Sequence, residues 1–296
     1  MILFGAGASA YSGSVEPYAP PLGNGLFDSL VAYDPFFAAI PGSLADQFRK
    51  NFEEAMEFYQ PRADLLIFLQ RMSLYFLQFS IHNHNRNFYS KLLYLTSRLK
   101  RNYIFATLNY DLLFDQALLH RGLISNWAES EKTLKLHGAP NFVIDETMAA
   151  GIRGNMMRSS HKSAARVGAP TIVVDPDTAR RYCRQYELAP AISAFAVGKK
   201  VYYGDERVLH NQKLFVEYLK KVSSIAIIGV NLNENDTHIW GPLATTTAKI
   251  GIINPEFGPY ERWALANRIS VHHLCSKAND LFAIANAENF IKFLDS

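Results

Sequence analysis

The chain has 296 residues, 49% of them hydrophobic and 19% charged. That excludes a disordered polymer and allows one large α/β unit with an insertion, or two modest domains. A net charge of +3 is too small to imply nucleic-acid binding by itself, and two distant cysteines, Cys183 and Cys275, exclude a disulfide framework and a cysteine-rich zinc site.

Ile2 to Phe4 is a short apolar run ended by Gly5-Ala6-Gly7-Ala8-Ser9, the pattern of a buried strand entering a tight turn rather than a signal peptide. Residues 11 to 26, rich in Gly, Pro, Ser and Tyr, read as a long loop. From about 43 to 100 the apolar spacing is helical, with Pro61 at the first turn of the second helix and a third helix from Phe88 to Leu99. The aromatics there read as core. Tyr103 to Thr107 reads as a strand, Leu112 to His120 as a helix, and Thr133 to Leu136 as a strand.

Ile172-Val173-Val174 and Val201-Tyr202-Tyr203 look like strands, and the polar, basic stretch from Gly151 to Gly168 reads as a loop. Leu209 to Lys221 reads as a helix, Ile225 to Ile228 as a strand, and a helix starts near Asp236. Strands at Ile250 to Ile253 and Ile269 to Leu274 flank a helix at Tyr260 to Asn267, and a last helix begins near Ala278. This alternation predicts an α/β fold with a mostly parallel sheet, helices on both faces, and a helical insertion. No run of about 18 apolar residues is present, so no membrane span is expected, and the cysteine usage fits the cytoplasm.

In such sheets, ligands bind beyond the carboxyl ends of the strands. The unusual residues stand there: Gly5, Gly7 and Ser9, then Asn109-Tyr110-Asp111, His137-Gly138, Gly229-Val230-Asn231 and Asn254-Pro255. Glycine lets a backbone approach a pyrophosphate, asparagine can pair with ribose hydroxyls, and histidine can take or give a proton near neutral pH. The Gly5-Ala6-Gly7 turn alone is also compatible with a plain tight turn.

These five pieces, in this order, resemble the motif series of the sirtuin family, and more narrowly the SIR2-like NAD-degrading domains of bacterial anti-phage defence systems. The resemblance implies a Rossmann-like NAD unit from 1–30, 101–140 and 205–296, a helical insertion at 31–100, and a small loop-rich insertion at 141–204 in place of a zinc ribbon. It implies that Gly5, Ala6, Gly7 and Ser9 line the diphosphate. Asn109 holds the nicotinamide ribose and its attacking water, Asp111 orients the site from behind, and His137 is the general base. Gly229 and Asn231 lie near the adenine ribose, where Asn231 replaces the family's serine, and Asn254 reaches the adenosine end.

The implied activity is NAD⁺ hydrolysis to nicotinamide and ADP-ribose, with NAD as substrate and no metal. The implied setting is an NAD-depleting defence effector, restrained by homo-oligomerisation or by a partner such as a helicase-like ATPase or a short Argonaute. The zinc-ribbon cysteines of the deacetylases are missing, which counts against deacylation. Protein ADP-ribosyl transfer shares the first chemical step, and a non-catalytic NAD or ADP-ribose sensor or assembly subunit is the third reading. Asp111 also suits a helix N-terminus, and His82 with His84 reads as a solvated turn. His272 and His273 fall on opposite faces of a strand. The basic segment 151–184 reads as a solvated loop, a lid over the cofactor, or a partner or nucleic-acid contact.

Overall fold

The computed structural model describes residues 1–59, 62–99, 102–145, 170–185, 188–193, 205–233 and 236–295. Its strands are β1 (Ile2–Phe4), β2 (Val15–Glu16), β3 (Ser80–Ile81), β4 (Phe105–Thr107), β5 (Leu134–Lys135), β6 (Phe142–Ile144), β7 (Thr171–Val173), β8 (Ser224–Ile228), β9 (Lys249–Ile253) and β10 (Val271–Cys275). Six of them form a wholly parallel sheet in the order β10-β9-β8-β1-β4-β5. Counted along this sheet alone the order is 3-2-1-4-5-6, that of a Rossmann dinucleotide-binding sheet, and the order in which strands are added reverses between β1 and β8.

The strands are apolar on both faces because both faces are covered. Ile2 and Phe4 join Ala226 and Ile228 in one core, while Leu3 joins Ala106, Ile225 and Ile227 in the other. Successive side chains point to opposite sides of a strand, so three residues of β1 serve two cores. The first core holds the helices Gly23–Tyr33, Gly42–Lys50, Phe52–Tyr59, Leu65–Leu77 and Phe88–Ser97. Here the aromatics pack as the sequence pattern predicts: the Phe27 and Phe48 rings stack at 4.8 Å, and those of Tyr59 and Phe68 lie 4.7 Å apart. The second core is covered by the helices Asp205–Leu219, Thr237–Ala244 and Gly258–Asn267.

Three segments differ from the sequence reading. Residues 11 to 26 are not one long loop: β2 pairs antiparallel with β3, and a helix begins at Gly23. Leu26, Phe27 and Leu30 are its buried stripe, a helical spacing that Gly23 and Gly25 disguise. A helix at Pro176–Gln185 follows β7. Asp175 caps it by accepting from the N–H groups of Asp177 and Thr178, and Pro176 sits at its first turn. β7 pairs antiparallel with β6, making a ribbon apart from the main sheet. The expected strand Val201-Tyr202-Tyr203 and the basic stretch from Gly151 to Gly168 lie outside the described residues.

Two lesser readings resolve as packing. His84 stacks on His120 at 3.7 Å and His82 pairs with exposed Glu16 at 2.9 Å. His272 and His273 lie beside Phe293 and Phe257 respectively. Among the described residues no helix is long and apolar enough to cross a membrane. At the outer strand β5, Asn211 and Gln212 of the helix Asp205–Leu219 donate to the carbonyls of Lys135 (3.3 Å) and Leu136 (2.9 Å).

Candidate active site

A cavity of about 780 Å³ opens beyond the carboxyl ends of β1, β4, β5, β8 and β9, within the size range of small-molecule sites. Gly5, Ala6, Gly7, Ser9, Asn109, Asp111, His137, Gly229, Asn231 and Asn254 all lie around it. The helical segment contributes a wall that the sequence did not announce, through Lys50, Asn51, Phe52, Glu54 and Phe76.

The glycines face each other before they face a ligand. Gly229 has φ +62, and a Cβ there would overlap the backbone of Ala8 and lie 2.7 Å from Gly7 Cα. A Cβ on Gly7 would come within 2.9 Å of Gly229 Cα. The turn after β1 and the turn after β8 therefore touch backbone to backbone, at the point where the sheet reverses. Their amides are committed to each other as well: Gly5 N–H donates to Ile228 O, Gly7 N–H to Gly229 O at 2.8 Å, and Ala8 N–H to Gly5 O. Among the described residues the N–H of Ala6, an exposed residue, has no carbonyl partner. Glycine at these positions thus has a reason independent of any ligand: no other residue lets these two loops meet.

Beneath the turn lies a buried polar network. Ser9 has no exposed surface, and its Oγ lies 2.7 Å from Tyr89 Oη and 3.0 Å from Asn109 Nδ2. Asn109 Nδ2 also donates to Gly5 O at 2.9 Å, and Asn109 N–H to Thr107 Oγ1 at 3.0 Å. Among the described residues Asn109 Oδ1 accepts no hydrogen bond. Ser9 thus braces the turn from below, with its hydroxyl engaged by Tyr89 and Asn109.

Asp111 accepts from Leu113 N–H at 3.1 Å, the helix-start role, and its carboxyl lies near the Ser9 hydroxyl. Burial raises its carboxyl to about 6, against the pull of Ser9, the Leu113 amide and Lys135. Behind it, Lys135 and Asp115 form a fully buried ion pair at 2.6 Å.

His137 is 4% exposed and stands on a clamped turn. Gly138 has φ +77, and a Cβ there would overlap the carbonyl of Ala191. Ser193 N–H donates to His137 O at 2.8 Å, and Tyr110 Oη donates to Ser193 O at 3.0 Å. The imidazole Nε2 lies 3.2 Å from Nε2 of His238, and Asp236 is close by. His238 and Asp236 are the site residues that sequence reasoning missed. The resemblance implies no metal, yet His137, Asp236 and His238 bring potential ligand atoms within 4.8 Å of one another.

The far rim is different in kind. Asn231 is exposed at the cavity mouth. Asn254, expected to reach an adenosine, has its amide engaged by the protein: Nδ2 donates to Val230 O at 2.8 Å, and Oδ1 accepts from Glu256 N–H at 2.9 Å. Tyr260 Oη donates to the same Val230 carbonyl. Asn254 lines the cavity but its first task is to tie the turn after β8 to the turn after β9.

No protein-family model matches this chain, and no curated protein matches it. Among solved structures it is similar to one described as a SIR2 homologue in complex with NAD, at 15% identity and a TM-score of 0.45, over 99% of this chain and 90% of that one. A likeness of that size carries no functional argument. The fold rests on the strand order of the sheet itself.

Proposed function

We propose that this chain binds NAD⁺ across the cavity and cleaves its nicotinamide–ribose bond, giving nicotinamide and ADP-ribose. One observation carries the reading. Asn109 and His137, at the ends of the neighbouring strands β4 and β5, line the same cavity. The network fixes Asn109 by its nitrogen and leaves its oxygen to accept from a ribose hydroxyl.

Cleavage passes through an oxocarbenium-like state, as in other glycoside hydrolyses. The C–N electron pair leaves with the pyridinium, which becomes neutral nicotinamide, so no strong acid is needed. Water forms the new C–O bond, and its proton passes to His137 as general base. Asn109 positions the ribose, Ser9 and Tyr89 hold its amide nitrogen, and Asp111 orients the site from behind. In this reading the NAD unit is assembled from 1–30, 101–140 and 205–296, with 31–100 and 141–204 as insertions, and 31–100 supplies one cavity wall.

The sequence resemblance to anti-phage SIR2-like domains supports a role as an NAD-depleting defence effector, held in check by homo-oligomerisation or a partner protein. The second reading is a module that binds NAD or ADP-ribose without turnover. It is favoured by the commitment of Asn109 Nδ2 and the Asn254 amide to the protein's own backbone.

The test is incubation of purified protein with NAD⁺, alone and with candidate partners, following free nicotinamide and ADP-ribose. His137→Ala is expected to lower the rate by about 10²–10⁴, and Asn109→Ala to lower it while leaving the fold intact. NAD⁺ binding with no product under any condition would reject hydrolysis in favour of the binding module.

A further inference from the structure

We propose that His137, Asp236 and His238 form a binding site for a zinc-class divalent transition-metal ion on the wall of the cavity. The donor set is two imidazole nitrogens and a carboxylate oxygen, all within 4.8 Å of one another. The two Nε2 atoms are 3.2 Å apart, with ring centroids at 5.2 Å and planes tilted by 51°. A tetrahedral centre with Zn–N bonds of about 2.0–2.1 Å sets its nitrogens roughly 3.3–3.4 Å apart. The imidazoles already stand at the edge length of such a centre, and rotation of the carboxylate closes the third corner.

Both sides of the site are anchored. His137 is fixed by the Ser193 amide on its carbonyl and by the close approach of Gly138 to Ala191. Asp236 stands at the start of the helix Thr237–Ala244, where its carbonyl accepts from the N–H groups of Ile239 (2.8 Å) and Trp240 (2.9 Å). His238 lies in the first turn of that helix. Two nitrogen ligands select against magnesium and calcium, which take oxygen donors, and suit zinc, cobalt or nickel. His137 and Asp236 line the cavity, so the fourth position opens into it. Each ring would bind through Nε2 and carry its proton on Nδ1.

The site stands apart from the NAD⁺ reading, but one consequence rests on it. A metal on Nε2 of His137 occupies the lone pair that accepts the proton of water. Zinc therefore competes with general-base catalysis, and the cavity doubles as an inhibitory metal site.

The test is a calorimetric titration of metal-free protein with Zn²⁺ in the absence of NAD⁺, repeated with Co²⁺ to read the visible spectrum of a four-coordinate centre. The wild type is expected to take up one ion per chain. His238→Gln and Asp236→Asn are each expected to weaken uptake at least about tenfold, since even outer-shell changes at metal sites cost that much. No uptake by the wild type, or uptake that both variants retain, would overturn the site. Melting curves in chelator identify any variant that has lost its fold; the other variant then decides. If NAD⁺ is cleaved, Zn²⁺ is expected to suppress nicotinamide release with the midpoint of the calorimetric titration. Uptake without suppression rejects the inhibitory role, while uptake by a protein that never cleaves NAD⁺ retains the site and rejects only the enzyme.

Discussion

The two ends of the cavity are built on opposite plans. On the β1–β4 side the polar groups are buried: Ser9, Tyr89 and Asn109 form one hydrogen-bonded network, Asp111 lies beside it, and the Lys135–Asp115 pair stands behind. On the β8–β9 side, Asn231 is exposed and Asn254 binds backbone. The first end resembles a preorganised reaction centre, in which each dipole is fixed before a substrate arrives. The second is a rim where Asn254 ties two turns together and Asn231 is free of the fold's packing. Residues that look alike in sequence, an asparagine after an apolar strand, thus do different work at the two ends.

The contrast can be broken most forcefully at the shared hinge of the two ends. Gly229→Ala puts a side chain where φ is +62 and Gly7 Cα lies 2.7 Å from its Cβ. It should cost more than about 4 kcal/mol in chemical denaturation, or prevent soluble expression, because the colliding partner is backbone.

Next comes the pair beneath the floor. Lys135→Met leaves Asp115 buried and unpaired and should cost about 3–5 kcal/mol, while adding Asp115→Leu should return most of it. If the single variant unfolds no more easily than the wild type, the pair does not hold the floor.

Asp111 sharpens the comparison through pH. Its folded value of about 6 lies above the ordinary 3.8, so the folded state holds the proton more tightly than the unfolded chain. The group's contribution to stability is complete at low pH and is lost as pH rises from about 4 to about 6, an effect of roughly 1–3 kcal/mol. Asp111→Asn should remove that slope from urea unfolding curves measured across the interval, and an unchanged slope would place the titration elsewhere.

The smallest effect belongs to the rim. Asn231→Ala should change stability by less than about 0.5 kcal/mol, and should raise the KM for NAD⁺ roughly threefold to tenfold, the worth of one hydrogen bond. A large loss of stability would mean that the rim is as structural as the floor.

The sheet was legible because its strands are apolar runs closed by glycine or a polar residue. β8 and β9 read as Ile225 to Ile228 and Ile250 to Ile253, each within a residue of the observed ends. Asn109 and His137 were legible for the same reason, being polar residues at the point where an apolar strand stops. Tyr89 was not, since it sits in a helix among Phe88, Leu92 and Leu93 and reads as core. Lys135, between Leu134 and Leu136, reads by alternation as solvent-facing. Its side chain is buried because Asp115 meets its ammonium at 2.6 Å and the Phe142 ring lies 5.8 Å from it, while Leu134 and Leu136 join the other core. His238 and His137 are 101 residues apart in sequence, and only the crossover from one half of the sheet to the other brings them together. The segment before Asp236, rich in Asn and Glu, gives no local sign of that contact.

The outer strand β5 has a consequence beyond the site. A parallel sheet ending in an open strand presents a row of unpaired carbonyls and amides to any other extended chain. Here the strand is two residues long, and Asn211 and Gln212 occupy the carbonyls of Lys135 and Leu136 with side-chain amides. A second molecule seeking to extend the sheet would first have to displace both. That border is therefore blocked to strand addition by two side-chain amides, and among the described strands the five residues of β10 form the sheet's other edge.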